Sequence, residues 1–218
     1  MLKPVAHPSI RPQTTRGRRF PADPPRVEEI IAVMRNAGER PHGLRLKALI
    51  VILWRSGLRI SEALALAETD LEPTRGSLLV RRGKGGKRRE VEMDDWAWDQ
   101  LQGWLAIRRE LPVGPLLCAI NAPRSGLPWS AEAVRQALAR AAVQAKVRRR
   151  FAPHQLRHAH AVEMAREGVP LNVIQRQLGH ANLGVTSIYL QGIDTEEIID
   201  TIHRRPAPTI SATAALAR

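Results

Sequence analysis

Four side chains in the C-terminal half of the chain combine types that do chemistry on anionic substrates: His154, Arg157, His180 and Tyr189. An imidazole transfers protons near neutral pH, a guanidinium binds two oxygens of a phosphate, and a phenol oxygen can act as a nucleophile. Each alone has an ordinary structural interpretation, as a helix cap, a surface charge or a packed aromatic ring. Together they supply proton transfer, anion stabilisation and an oxygen nucleophile.

Two clusters of positive charge accompany these residues. One surrounds a glycine-rich turn and contains Arg81, Arg82, Lys84, Lys87, Arg88 and Arg89; the other contains Lys146, Arg148, Arg149 and Arg150. Both clusters suit contacts to phosphates, although such clusters are often only solvated faces. A two-stranded finger tipped with glycines can also approach a nucleic-acid groove closely.

The hydrophobic periodicity of the chain is mostly helical, so helices are expected to position these side chains. His154 and Arg157, three residues apart, share a face near the positive end of one predicted helix. The predicted helices span Asp23–Gly38, Leu44–Ser56, Arg59–Leu66, Trp96–Arg108, Ser130–Ala145, Pro153–Glu167, Pro170–Leu178, Leu183–Leu190 and Thr195–Arg204. Ser77–Arg82 and Arg88–Met93 flank the glycine-rich turn as a hairpin. The expected fold class is therefore α+β, mainly α, with a small antiparallel sheet.

Composition narrows the class of partner. The 218 residues include 34 Lys and Arg against 21 Asp and Glu, a formal net charge of +13, which favours a polyanion. The single cysteine, Cys118, cannot form an intramolecular disulfide or a cysteine cluster for zinc, and we interpret it as a small buried residue. No apolar run is long enough to cross a bilayer and no signal peptide is evident. We expect a cytoplasmic protein associated with DNA rather than with a membrane.

Three segments are expected along the chain. Residues 1–22 are basic and proline-rich without any acid, and we interpret them as a flexible arm that is either inert or ordered along a phosphate backbone. Residues 23–205 form the predicted catalytic domain. Residues 206–218, rich in Ala and Thr, form a predicted disordered tail.

Five motifs, in this order, closely resemble those of the tyrosine recombinase family in its phage-integrase and Xer-like branch. They are Gly57-Leu58-Arg59-Ile60-Ser61-Glu62-Ala63-Leu64, Gly83-Lys84-Gly85-Gly86-Lys87-Arg88, His154-Gln155-Leu156-Arg157-His158, Leu178-Gly179-His180 and Tyr189. Each motif alone is weak, but their conjunction in order and spacing is highly specific. The resemblance covers about Asp23 to Arg204.

The resemblance implies a phosphoryl-transfer site that needs no metal, cofactor or ATP. Tyr189 would attack a DNA phosphodiester and form a 3′-phosphotyrosine link with release of a 5′-hydroxyl. Arg59 and Arg157 would hold the non-bridging oxygens, and Lys84 would protonate the leaving oxygen, with Lys87 the less favoured claimant. His154 would accept the tyrosine proton, and His180 would bind the phosphate or position the nucleophile.

Some neighbouring residues have less direct roles. The family often has an acid where Glu62 stands, orienting the first arginine, although the spacing alone would also suit a simple ion pair. We interpret His158 as structural and His160 as a hydrogen-bonded or exposed histidine. The predicted contacts to DNA are Arg81, Arg82, Lys87, Arg88, Arg89, Arg148, Arg149 and Arg150, and the helix with Arg135 and Arg140 is a candidate for the groove.

The family comparison also raises expectations about assembly. Most relatives carry an additional helical DNA-binding domain before the catalytic one, whereas here only residues 1–22 precede the first predicted helix, so we expect weaker and more salt-sensitive binding. The apolar stripe of Thr195–Arg204 is expected to dock on a neighbouring protomer in a homo-oligomer assembled on a DNA recombination site, or alternatively to pack on its own domain.

The leading hypothesis is a site-specific DNA recombinase or integrase. Two alternatives remain open: a DNA-binding regulator that retains the fold without turnover, and a relaxing enzyme similar to type IB topoisomerases. A metal-dependent nuclease is the least favoured, because the sequence shows no carboxylate or histidine cluster with metal-ligand spacing.

Overall fold

The computed structural model describes residues 23–83, 86 and 88–180. This part of the chain contains seven α-helices and a three-stranded antiparallel sheet. The strands, in sheet order, are β1 (Leu71–Glu72), β2 (Ser77–Val80) and β3 (Arg89–Glu92). The helices are α1 (Val27–Ala37), α2 (Pro41–Arg55), α3 (Ile60–Leu64), α4 (Asp95–Arg109), α5 (Ala131–Gln144), α6 (Pro153–Arg166) and α7 (Leu171–Leu178). This architecture confirms the predicted class, mainly α with a small antiparallel sheet.

The predicted hairpin is present as β2 and β3. Leu78 pairs with Val91 and Val80 pairs with Arg89, so that the inward side chains of the two strands lie opposite each other. Strand β1 was not predicted, because two residues are too few to show the alternation that identifies a strand. It extends the sheet beside β2 through the pairing of Leu71 with Leu78.

Helix α2 forms the centre of the main core and packs against α1, α4 and α6. Its residues from Ala48 to Trp54 are all buried, which explains why the sequence there is apolar on every side of the helix. Arg45 is the buried charge of this helix: its Nη1 donates to the Cys118 carbonyl at 2.7 Å, and its guanidinium carbon lies 3.8 Å from the centre of the Trp129 ring. Cys118 is buried, which confirms its interpretation as a small interior residue.

Helix α1 begins later than predicted. Residues 23–26 lie outside the helix, which starts at Val27, so the predicted start at Asp23 is wrong. Pro25 disfavours helical geometry at the residue before it, which moves the start of the helix past both prolines. The Glu29 side chain accepts the Arg26 backbone N–H at 2.8 Å instead, and Asp23 forms an ion pair with Arg149.

A small second cluster of apolar residues joins α6 to α7 through Ala161, Ile174 and Leu178. These contacts set the end of α7 beside α6. None of the helices within the described ranges is long and apolar enough to cross a membrane. Residues 1–22, Lys84, Gly85, Lys87 and residues 181–218 lie outside the description, and with them the predicted helices Leu183–Leu190 and Thr195–Arg204.

Candidate active site

Arg157 lies at the point where three separated segments meet. It is only 2% exposed, although it belongs to the first turns of α6. Its Nη1 donates to the carbonyl of Gly57, before α3, and its Nη2 donates to the carbonyl of Leu178, at the end of α7, at 2.6 Å. Two buried carbonyls therefore fix the plane of the guanidinium.

The same guanidinium contacts His180. The Nη2 atom of Arg157 lies 2.9 Å from Nε2 of His180. Since a guanidinium has no acceptor, Nε2 of the imidazole is the acceptor in this contact. The motif residues Arg157 and His180, which are separated by a helix and a turn in sequence, are thus direct neighbours.

Arg59 approaches the same place from α3. It occupies the N-cap position of that helix with extended backbone angles, and its side chain is 28% exposed. Its Nη2 donates to the carbonyl of Gly179 at 3.4 Å. Arg59 and Arg157 therefore bind adjacent carbonyls, those of Gly179 and Leu178, so the two guanidiniums flank one turn of backbone.

Glu62 holds Arg59 in this position. Its carboxylate accepts the Arg59 backbone N–H at 2.9 Å and Nη1 of the same arginine at 3.0 Å. It also accepts both terminal nitrogens of Arg89, each at 2.9 Å. Burial raises the pKa of the Glu62 carboxyl, but the hydrogen bonds and charges of Arg89 and Arg59 outweigh that effect and lower the pKa to about 2. The carboxylate is therefore ionised throughout the physiological range.

Two glycines with positive φ allow these segments to meet. Gly179, with φ of 62°, ends α7 and leads directly into His180. A Cβ atom on Gly57, where φ is 64°, would lie 2.6 Å from Cδ2 of His160. Only glycine combines this backbone geometry with so close an approach.

His154 stands in the first turn of α6, one turn before Arg157. Partial desolvation of its ring, followed by the positive charges of Arg157 and Arg150, lowers the pKa of His154 below its ordinary value of 6.5. The ring is therefore predominantly neutral at pH 7, the form in which an imidazole accepts a proton.

His158 and His160, on the same helix, are both buried. Burial and the charge of His154 lower the pKa of His158 to about 4. Burial, with the charges of Arg55 and Arg157, lowers the pKa of His160 to about 3. The Nε2 atom of His160 has no hydrogen-bond partner among the described residues, so the prediction of a hydrogen-bonded or exposed side chain is not met at this atom.

The residues predicted to contact DNA occupy three kinds of environment. Arg82, Arg88, Arg148 and Arg150 are exposed. Arg81 pairs with Asp70, and Arg149 pairs with Asp23 and Glu29. Arg89 points into the domain and binds Glu62. Lys84, Lys87 and Tyr189 lie outside the described residues.

Two of the contacts that assemble this site were not predicted from the sequence. The inward direction of Arg89 has a signal in the sequence, because Arg89 and the buried Val91 alternate with the exposed Glu90 and Glu92 along β3. The second contact has no such signal: Gln177 of α7 donates through Nε2 to the Glu92 carbonyl at 2.8 Å and accepts the Glu92 N–H at 3.3 Å. This side chain ties α7 to the sheet.

Comparison with known proteins identifies the family of this chain. The family model described as "Phage integrase family" matches residues 23–196. The tyrosine recombinase XerD of Caulobacter vibrioides is 36% identical over 183 residues, and the tyrosine recombinase XerC of a Shewanella species is 30% identical over 181 residues. The matches cover 81% and 82% of this chain but 59% of each relative, so the chain spans about three-fifths of their length.

Solved structures share the fold. The XerA recombinase superimposes with a TM-score of 0.72 at 22% identity, covering 92% of this chain and 68% of that protein. The XerH site-specific recombinase, in a post-cleavage complex with a palindromic difH substrate, gives a TM-score of 0.69 at 26% identity, covering 86% of this chain and 54% of XerH. On the family match and these relatives, the chain belongs to the phage integrase family and contains a tyrosine recombinase catalytic domain.

Proposed function

We propose that this chain is a site-specific DNA recombinase or integrase that cleaves and rejoins duplex DNA through a 3′-phosphotyrosine intermediate. The observation that carries the proposal is the convergence of Arg59, Arg157 and His180 on one backbone turn. Two guanidiniums on one turn form a site for an anion with two free oxygens, which is what a phosphodiester presents.

The charges around this turn favour a phosphate. Arg59, Arg89 and Arg157 contribute three positive charges, and the ionised Glu62 contributes one negative charge, so the cluster keeps a net charge of +2. As phosphorus becomes five-coordinate, charge grows on its non-bridging oxygens. Donors already fixed by buried carbonyls and a carboxylate do not have to reorganise as that charge develops, and the loss of one such donor costs about 10²–10³ in rate.

In the proposed reaction the phenol oxygen of Tyr189 forms a bond to phosphorus as the bond from phosphorus to the 5′ oxygen breaks. The phenol proton passes to His154, whose lowered pKa keeps its ring neutral and able to accept it. Lys84 gives a proton to the departing 5′ oxygen. Rejoining is the reverse, with the 5′-hydroxyl of a second strand attacking the phosphotyrosine, so the energy of the broken linkage is retained and no ATP is consumed.

The proposed partner is duplex DNA bound by several copies of the chain. Arg82 and Arg88 beside the hairpin turn, together with Arg148 and Arg150 before α6, present exposed guanidiniums for phosphate contacts. The XerH complex contains a palindromic substrate, and a palindrome is matched by a two-fold arrangement of protein. We propose that the segment Thr195–Arg204 joins neighbouring copies on the recombination site.

A nicked-duplex assay tests the proposal. The protein is incubated in EDTA with a library of randomised duplexes, each with one nick, and covalent species are separated on a denaturing gel. A nick close to the cleaved phosphate lets the short 5′-hydroxyl strand diffuse away, so that the covalent intermediate accumulates. We expect an adduct that survives denaturation and enriches particular sequences.

Tyr189→Phe is the matched control, and it should abolish the adduct while leaving DNA binding in a mobility-shift assay intact. An adduct without joining of two duplexes would instead indicate a relaxing enzyme. DNA binding by the wild type with no adduct on any library member would indicate a regulator and would overturn the proposal.

A further inference from the structure

Arg89 has an unusual environment for a residue of a basic hairpin. Its side chain is 16% exposed, and it projects from β3 on the same face as the buried Val91. Both of its terminal nitrogens donate to the two oxygens of Glu62, at 2.9 Å each, in the parallel two-bond arrangement that is strongest between a guanidinium and a carboxylate. Neither terminal nitrogen is turned toward solvent as it would be for a contact to DNA.

Glu62 is the link between Arg89 and Arg59. Its four hydrogen bonds divide equally, two from Arg89 and two from Arg59, which occupies the four acceptor positions of a carboxylate. The carboxyl is 3% exposed, so water does not replace a missing partner readily. A substitution of Arg89 therefore changes the environment of Arg59, because both residues bind the buried Glu62 carboxylate.

The charges of Arg59, Glu62 and Arg89 determine how strongly this cluster attracts a phosphate. Arg59 and Glu62 alone would form a neutral pair, and a neutral pair attracts a phosphate far less than a free guanidinium does. Arg89 supplies the second positive charge, so the three residues together keep a net charge of +1. With Arg89 present, Glu62 orients Arg59 without cancelling its charge.

Arg89 also packs against the turn that Arg59 binds. A Cβ atom on Gly179 would lie 2.8 Å from Nε of Arg89, and the carbonyl of the same glycine accepts Nη2 of Arg59. The guanidinium of Arg59 therefore lies between two groups that are both next to Arg89: the Glu62 carboxylate and the Gly179 carbonyl. The hairpin strand, α3 and the end of α7 meet at this one side chain.

We propose that Arg89 is a positioning residue for Arg59: it neutralises and fixes Glu62, so that Arg59 presents its full charge to the scissile phosphate. This inference rests on the proposed function, because it assigns Arg59 to the phosphate. Arg89 then orients an active-site residue and does not contact DNA.

The test compares Arg89→Met with the double variant Arg89→Met/Glu62→Gln in the 218-residue chain. The probe is a nicked duplex that the wild type enriches in the library assay, and the readout is the single-turnover rate of adduct formation at saturating DNA, corrected for the folded fraction from thermal unfolding. Loss of a residue that orients a metal ligand typically costs about 10–100-fold, and we expect a rate loss of the same order for Arg89→Met, because Arg89 orients Arg59 through Glu62.

The double variant separates the charge effect from loss of fold. Replacing Glu62 by Gln removes the buried negative charge, so the guanidinium of Arg59 is no longer neutralised by Glu62. The protein also no longer buries a carboxylate that has lost its two hydrogen bonds from Arg89. We expect the double variant to form adduct at least about 5-fold faster than Arg89→Met, a difference of about 1 kcal/mol in activation free energy. Arg75→Met, which breaks the exposed pair with Glu90 on the other face of β3, is the matched control and should retain the wild-type rate.

The outcomes distinguish this inference from the proposed function. If the wild type forms no adduct, the proposed function fails and the inference fails with it. If the wild type forms adduct and folded Arg89→Met matches its rate, the role of Arg89 is only structural and the inference alone is overturned. A double variant as slow as Arg89→Met would equally overturn the argument from charge.

Discussion

His160 should make the folded domain sensitive to acid, and His160→Phe should remove much of that sensitivity. The ring is 6% exposed, packs against Gly57, and has a pKa lowered by burial to about 3. In the unfolded chain the same imidazole has a pKa of about 6.5, so the unfolded state takes up the proton first as the pH falls. The stability associated with the neutral ring is present above pH 6.5 and is lost progressively toward pH 3.

The magnitude follows from the two pKa values. At pH 5.0 the pH lies about 1.5 units below the pKa of the imidazole in the unfolded chain, so protonation stabilises the unfolded state but not the folded state. At about 1.4 kcal/mol per pH unit, this lowers the free energy of unfolding by about 2 kcal/mol. The full difference of about 3.5 units is reached near pH 3 and corresponds to about 5 kcal/mol. Because domains are typically stable by about 5–15 kcal/mol, one histidine accounts for a substantial part of the acid lability.

Urea unfolding at pH 7.5 and at pH 5.0, followed by tryptophan fluorescence, measures this effect. His158, with a pKa of about 4, adds a loss of the same sign in both proteins, so the difference between wild type and variant isolates His160. We expect wild type to lose about 2 kcal/mol more than His160→Phe between the two pH values. His42→Phe, at an exposed histidine, controls for adding a phenyl ring. Equal losses in wild type and His160→Phe would show that burial of the His160 ring does not cause the acid sensitivity.

Three further predictions concern the turn, the DNA surface and the leaving group. Gly179→Ala places a Cβ atom 2.8 Å from Nε of Arg89 at a φ of 62°, and we expect it to cost about 1–2 kcal/mol in urea unfolding and to slow adduct formation; wild-type values for both would contradict the close approach. Arg148→Ala should reduce the slope of log affinity for DNA against log salt concentration by about 0.9, whereas Arg149→Ala, whose side chain already pairs with two acids, should change it less. Lys84→Ala should slow cleavage about 10²–10⁴-fold, and a substrate with sulfur in place of the 5′ oxygen should restore most of the rate, because sulfur leaves as a thiolate without needing a proton donor. If the sulfur substrate rescued Lys87→Ala and not Lys84→Ala, Lys87 would be the residue that protonates the departing 5′ oxygen.

Much of the fold is predictable because it depends on local patterns. The apolar run in α2, the glycine-rich turn between the two hairpin strands, and the glycine after α7 each identify an element from neighbouring residues alone. The errors are local as well. Pro25 displaced the start of α1, and β1 has too few residues to carry a pattern.

The site is predictable only in part, because spacing shows which residues share an element but not which distant residues meet. The family motifs singled out Arg59 and Arg157, yet no pattern indicates that their guanidiniums bind the adjacent carbonyls of Leu178 and Gly179. Charge alone placed Arg89 with the surface arginines, and its pairing with Glu62 depends on where β3 packs against α3. Contacts of this kind follow from the assembled core.

The proposed 3′-phosphotyrosine intermediate is best tested by identifying the atom that carries the DNA. The adduct formed on a nicked duplex is digested with protease and nuclease, and the modified peptide is sequenced by mass spectrometry while the released strand is tested for a free 5′-hydroxyl by kinase labelling. We expect a nucleotide 3′-phosphate on the oxygen of Tyr189 and a 5′-hydroxyl on the released strand. A nucleotide on another residue, or a 5′-phosphate on the released strand, would contradict it.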